Sequence, residues 1–121
     1  MCLVLRKATV EDAGFVYRLR FRSDVVDVSF SSGIPCFSNH LVFFMKHLDE
    51  YSIIGDNVGF VRIVDGMVSI VLDEGFMGMG IGSRVLSGLS GRALVKYGNV
   101  RSFRCFLNGG FVPVGWVLEK L

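Results

Sequence analysis

Three glycines, Gly78, Gly80 and Gly82, alternate with Met79 and Ile81 at the point where an apolar run, Val68–Leu72, gives way to a helical pattern. Glycine lets successive backbone N–H groups converge without obstruction by Cβ, and the start of a helix adds the positive end of its dipole. Strand, glycine turn and helix in that order make a cradle for pyrophosphate. Two widespread nucleotide signatures do not fit. The dinucleotide fingerprint needs a glycine where Ser83 stands and an acidic residue about 20 positions further on, and neither is present. The P-loop needs Gly-Lys-Ser/Thr, where this chain has Gly82-Ser83-Arg84.

The elements that must position this turn follow from periodicity. Leu3–Lys7 reads as a strand, and Thr9 stands three residues ahead of Asp12 in a weak capping box. Ala13, Phe15, Val16 and Leu19 form a helical stripe through Arg20. Arg22–Pro35, with Ser31, Ser32, Gly33 and Pro35, reads as a loop. Ser38 is placed to cap a second helix carrying Leu41, Phe44, Met45 and Leu48. Strands are expected at 51–54, 58–64 and 67–72, the last two joined by Asp65-Gly66, a type I′ hairpin signal. A helix over 81–89, a strand at 93–97, a helix over 100–107 stopped by Gly109-Gly110, and a closing strand over 111–121 complete the chain. The order β-α-α-β-β-β-α-β-α-β predicts one α/β domain over residues 1–121. Its sheet is mixed and mostly antiparallel, flanked by helices.

Bulk properties narrow the function classes. With 121 residues, 51% hydrophobic and 20% charged, the chain is a folded single-core protein. Its longest apolar run, Leu41–Met45, is too short to cross a bilayer, and its N-terminus lacks the layout of a signal peptide. A net charge of +2 argues against nucleic acid or an anionic membrane as the main partner. Cys2, Cys36 and Cys105 match no zinc or disulfide spacing, so the expected compartment is the cytoplasm and no metal is expected. So apolar and short a chain is expected to bury surface against a second copy of itself.

The glycine segment resembles the acetyl-CoA loop of the GNAT acetyltransferases, Arg/Gln-x-x-Gly-x-Gly/Ala, aligned here as Met77-Gly78-Met79-Gly80-Ile81-Gly82. The likeness extends to the opening Leu5–Asp12, and downstream to Asn99-Val100-Arg101-Ser102 and Gly110-Phe111. It implies acetyl-CoA as cofactor, held by residues 77–83 with Asn99 and Ser102. It also implies that Ile70, Val71 and Leu72, on a strand splayed from its neighbour, offer backbone to the pantetheine. The implied reaction is direct attack of an amine on the thioester, with backbone donors at the oxyanion.

Measured against that family, Ser69 stands where a base carboxylate is common, Phe106 where an acid tyrosine is common, and Met77 lacks the usual charge. His40 is a substitute proton acceptor and Tyr97 a substitute donor to the thiolate, although a surface histidine and a core tyrosine are the plainer readings. Arg84, Arg101 and Arg104 could offset Met77 by pairing with phosphates. Asp73 and Glu74 end the strand beside the thioester's expected path, with a solvated loop pair as the plainer reading.

A narrower resemblance, over Arg22–Ser32 and Asn39–Phe44, is to GNAT members that acetylate nucleotide-linked amino sugars, with Phe43 in place of a tryptophan. The expected acceptor is therefore a small-molecule primary amine. A degenerate, partner-binding GNAT and one acting on macromolecular amines stay as alternatives. Family members usually finish with a hairpin, whereas residues 111–121 provide for one strand only, so a homodimer covering the edge is expected.

Overall fold

Three consecutive apolar segments build the centre of the protein. In a computed structural model describing residues 3–30 and 33–120, β2 (Tyr51–Ile54), β3 (Gly59–Val64) and β4 (Met67–Leu72) form an antiparallel meander. β1 (Leu5–Lys7) adds to its edge in the order β1-β2-β3-β4. Asp65 and Gly66 both take positive φ, as the predicted I′ turn requires, and place Val64 opposite Met67.

Period-two alternation sends side chains to two separate cores. Tyr51, Ile53, Phe60 and Val71 face α1 (Ala13–Arg20) and α3 (Phe37–Lys46), where Val16, Leu19 and Phe44 are fully buried. Ile54, Val61, Val68 and Ile70 face α4 (Ile81–Leu86) and α5 (Val100–Asn108), against Leu86 and Phe106. The observed architecture is thus the predicted α/β layering, a mostly antiparallel sheet flanked by helices. Before α1, Asp12 accepts the Thr9 N–H at 2.8 Å and a bidentate pair from Arg6 at 2.8 and 2.9 Å, tying β1 to the helix start.

Several elements depart from expectation. The 22–35 segment contains a short helix, α2 (Ser23–Val26), and Cys36 rather than Ser38 precedes α3. α4 ends at Leu86 instead of residue 89. The predicted fifth strand over 93–97 is reduced to one parallel bridge, Met67 to Arg92, although Ala93 and Val95 still pack on the second core. Residues 111–120 form no strand: Pro113 offers no N–H and no neighbouring strand lies alongside to complete a ladder. Cys2, Ser31, Ser32 and Leu121 lie outside the described residues.

Candidate active site

The single bridge defines the site. Val68 N–H donates to the Arg92 carbonyl at 2.7 Å and Arg92 N–H to Gly66 at 2.9 Å; beyond that point the two segments part. Because Val68 points its N–H away from β3, the alternation of an antiparallel strand turns the peptide groups of Ile70 and Leu72 outward as well. The resulting edge opens on a cleft of about 860 Å³ whose lining includes Ile70, Val71 and Leu72.

At the open end of the cleft stands the glycine turn. Gly78 and Gly80 take φ of 78° and 74°, and Gly80 is the residue preceding α4. Among the described residues, no acceptor is found for the N–H groups of residues 78 to 83. The first N–H groups of any helix lack intrahelical partners, and here the preceding loop lengthens that run. Nothing lies within 4 Å of a Cβ built on Gly78 or Gly80, so the turn faces open space. Gly82 differs, since a Cβ there would stand 2.6 Å from Cys105 Sγ; its bareness lets α4 pack on α5.

Met77, Gly78, Gly80, Ile81, Gly82, Ser83, Asn99 and Ser102 all line the cleft, whereas Met79 is exposed and does not. Asn99 caps α5, its side-chain oxygen accepting the Ser102 N–H at 3.2 Å. Ser83 Oγ donates to the Cys105 carbonyl at 3.4 Å. Cys105 is half-buried in the same wall, and burial pushes its thiol up. Guanidinium nitrogens of Arg22 and Arg101 lie 3.5 and 3.8 Å from the sulfur of Met77. Arg104 also lines the cleft, and Arg84 does not.

His40 and Tyr97, proposed from sequence for proton transfer, and Ser69, at the position where a base carboxylate is common, lie elsewhere. His40 is 4% exposed, set among Tyr17, Phe37 and Phe44, with Nε2 donating to the Ala13 carbonyl at 3.2 Å. Its spacing with Phe37 and Phe44 puts it on the inner face of α3, and burial lowers its pKa. Ser69 shares the α1/α3 side of the sheet with Val71 but is exposed and outside the cleft lining. Tyr97 is fully exposed, with no hydrogen-bond partner among the described residues. Asp73 is engaged by Arg18 at 3.1 Å and held below the usual carboxylate range by that hydrogen bond.

Sequence reasoning set the Arg22–Ser32 segment in a narrower resemblance but named no site residue on it, and this segment forms the opposite wall. Arg22, Asp24, Val25, Asp27 and Val28, on and around α2, line the cleft from the far side of β4. Arg22 engages Asp24 through two nitrogens and reaches the Leu72 carbonyl at 2.9 Å. The segment lacks a steady period, so no spacing pattern could have found it. Among the described residues no cluster of His, Cys, Asp or Glu could hold a metal ion, and no helix is long and apolar enough to cross a membrane.

A meander whose last strand parts from its neighbour beside a glycine turn is the fold of known acetyltransferases. Spermidine N-acetyltransferase from Vibrio cholerae, in complex with CoA and spermine, superposes with a TM-score of 0.81 at 17% identity, over 98% of this chain and 85% of that one. The aminoglycoside acetyltransferase AAC(6')-Ib, in complex with ribostamycin and coenzyme A, gives 0.75 at 16%, over 97% and 87%. YncA from Salmonella typhimurium, a putative acetyltransferase with acetyl-CoA, gives 0.64 at 16%, over 92% and 80%. At these identities the likeness is one of fold. The sequence matches no protein-family model and no curated protein.

Proposed function

We propose that the protein is an acetyl-CoA-dependent N-acetyltransferase acting on the primary amine of a small molecule. The observation that carries this reading is the run of N–H groups over residues 78 to 83 without an acceptor among the described residues, set at the open end of a β4 edge that has no strand beside it past the Met67–Arg92 bridge. Those donors suit a pyrophosphate, with Arg101 and Arg104 beside them for further phosphate charge. The outward peptide group of Ile70, and the N–H of Leu72 whose carbonyl Arg22 occupies, suit the amides of a pantetheine arm, taken up as a strand would be. Acetyl-CoA supplies an activated carbonyl, in which a C–N bond to the amine replaces the C–S bond.

What remains for the chain is to hold an amine against that edge. Asp24 and Asp27 stand on the α2 wall with Val25 and Val28, and Asp27 has no side-chain partner among the described residues. This favours a cationic amine, drawn in by charge and losing its proton to Asp27 or to water before attack. Nucleotide-linked amino sugars, the acceptor suggested by Arg22–Ser32 and Asn39–Phe44, combine an amine with phosphates and form the second class to test. With His40 buried and Tyr97 outside the cleft, no other general acid or base is assigned.

Calorimetric titration with acetyl-CoA tests the cradle, using Gly80→Asp as control. Binding in the wild type and its loss in the variant, which puts a carboxylate and a strained φ among the donors, is the expected result. Absence of binding in the wild type overturns the reading. Release of CoA thiol with spermidine, an aminoglycoside and a nucleotide amino sugar then ranks the acceptors.

A further inference from the structure

We propose that Met77 is a redox modification site: oxidation of its sulfur by a peroxide captures Arg101 and lowers the affinity of the cleft for acetyl-CoA. The loss of affinity rests on the function proposed above, whereas the capture of Arg101 does not. Met77 is half-exposed and lines the cleft, its N–H fixed to the Glu74 carbonyl at 3.2 Å. Its sulfur lies between two guanidiniums, 3.5 Å from Arg22 Nη2 and 3.8 Å from Arg101 Nη1. A thioether is a weak acceptor, so two strong donors meet a partner that uses little of their capacity.

The two arginines differ in freedom. The side chain of Arg22 is 13% exposed and already held by Asp24 and by the Leu72 carbonyl at 2.9 Å, so it stays in place. That of Arg101 is 72% exposed, and its other tie among the described residues is an ion pair to Asp24 at 3.9 Å. An exposed pair at that distance contributes little, which leaves Arg101 able to turn toward a phosphate. One sulfur is thus flanked by a fixed donor and a movable one.

Oxidation changes what that sulfur offers. A sulfur lone pair attacks one oxygen of hydrogen peroxide, and an S–O bond forms as the O–O bond breaks. The departing hydroxide takes the proton of the transferred oxygen and leaves as water. Sulfur loses two electrons and the peroxide gains them. The sulfoxide oxygen carries partial negative charge and accepts from a guanidinium far more strongly than the thioether. Arg22 orients it and Arg101 closes on it, so Arg101 reaches a phosphate only by breaking a charge-assisted hydrogen bond. Exposure alone points elsewhere, to Met45 and Met79 at 54% and 62%, but no donor to either sulfur is found among the described residues.

The test compares wild type and Met77→Leu, each untreated and treated with hydrogen peroxide, by peptide mapping, melting temperature and calorimetric titration with acetyl-CoA. Exposed Cys36 oxidises under the same treatment, so all samples are then reduced with a dithiol, which leaves sulfoxides in place. The expected result is a sulfoxide at Met77 and a roughly ten-fold loss of affinity in treated wild type. Met77→Leu should lose less than about two-fold, and a methionine sulfoxide reductase should restore the wild type. Treatment should lower the melting temperature of wild type no more than that of Met77→Leu, because donors already wait for the new oxygen. No sulfoxide at Met77, an equal loss of affinity in both proteins, or a larger melting drop in wild type overturns the proposal. An untreated chain that binds no acetyl-CoA overturns the proposed function and with it the loss of affinity. Mapping and melting, which need no cofactor, then still decide the capture of Arg101.

Discussion

The guanidinium of Arg22 donates to the carbonyl of Leu72 at 2.9 Å, joining the turn after α1 to the last residue of β4 across 50 positions of sequence. Arg22 is mostly buried, and it also holds Asp24 and flanks the sulfur of Met77. One side chain therefore fixes the distance between the α2 wall and the strand edge of the cleft. A lysine at that position retains charge but cannot hold a carboxylate and a carbonyl in one planar fork.

From this contact, Arg22→Met is expected to lower the unfolding free energy by about 2 kcal/mol, the range for a buried hydrogen bond to a charged group. Arg22→Lys should recover only part of it. Urea denaturation of the three proteins measures this, and a loss of under about 0.5 kcal/mol would mean the contact is idle.

Gly82 makes a prediction about packing. A methyl group there meets Cys105 Sγ at 2.6 Å, so Gly82→Ala should destabilise the α4–α5 pair by roughly 1–3 kcal/mol. Adding Cys105→Ala removes the clash, and the double variant should be more stable than Gly82→Ala alone. Additive losses in the double-mutant cycle would show that the glycine serves something other than this approach.

His40 sets a pH dependence. Burial holds its pKa below the usual imidazole value, with the hydrogen bond to Ala13 opposing only in part. The unfolded chain thus takes up a proton before the folded one, and stability is full above the ordinary value of about 6.5 and lost as pH falls toward the folded value. The melting temperature should drop between about pH 7 and pH 5, and His40→Gln should flatten that slope. Asp12 acts in a separate, more acid window: the Arg6 hydrogen bond depresses its pKa, so its contribution is lost below about pH 4. Parallel melting curves for wild type and His40→Gln from neutral pH downward would rule out the histidine.

Ser69→Ala and Tyr97→Phe test whether either hydroxyl takes part in acyl transfer. Both residues are exposed and outside the cleft lining, so each variant should keep acetyl-CoA affinity and turnover within about two-fold of wild type. A ten-fold fall in turnover with unchanged affinity would return that hydroxyl to the reaction. Asp27→Asn, by contrast, should raise the KM for a cationic amine while leaving the Kd for acetyl-CoA in place.

What could be read from the chain itself was local. Asp65-Gly66 announces its own turn, and the apolar run Val68–Leu72 beyond it announces a strand, because neighbours in sequence decide both. The glycine turn was equally legible, since its geometry depends on missing Cβ atoms. The role of Gly82 was hidden, because the atom it avoids is 23 residues away on α5. The place of Arg22 and Asp27 in the cleft was hidden for the same reason, as only the folded chain brings α2 to β4. His40 was misplaced although its signal was available: Phe37, His40 and Phe44 share one helical face, and that face is the inner one.

The bridge between Met67 and Arg92 gives the cleft a mechanical character. Two hydrogen bonds at one end act as a pivot, and β4 runs from it for about 17 Å at the usual rise of a strand. β4 itself is fixed to β3 along its whole length, so a rotation of about 10° at the pivot falls to the 93–97 segment and widens the gap by roughly 3 Å over that distance. Because no ladder spans the gap, such a swing breaks no strand pairing. The β4 side of the aperture is set by its ladder to β3 and by Arg22 at Leu72, so a change in width falls to the facing segment.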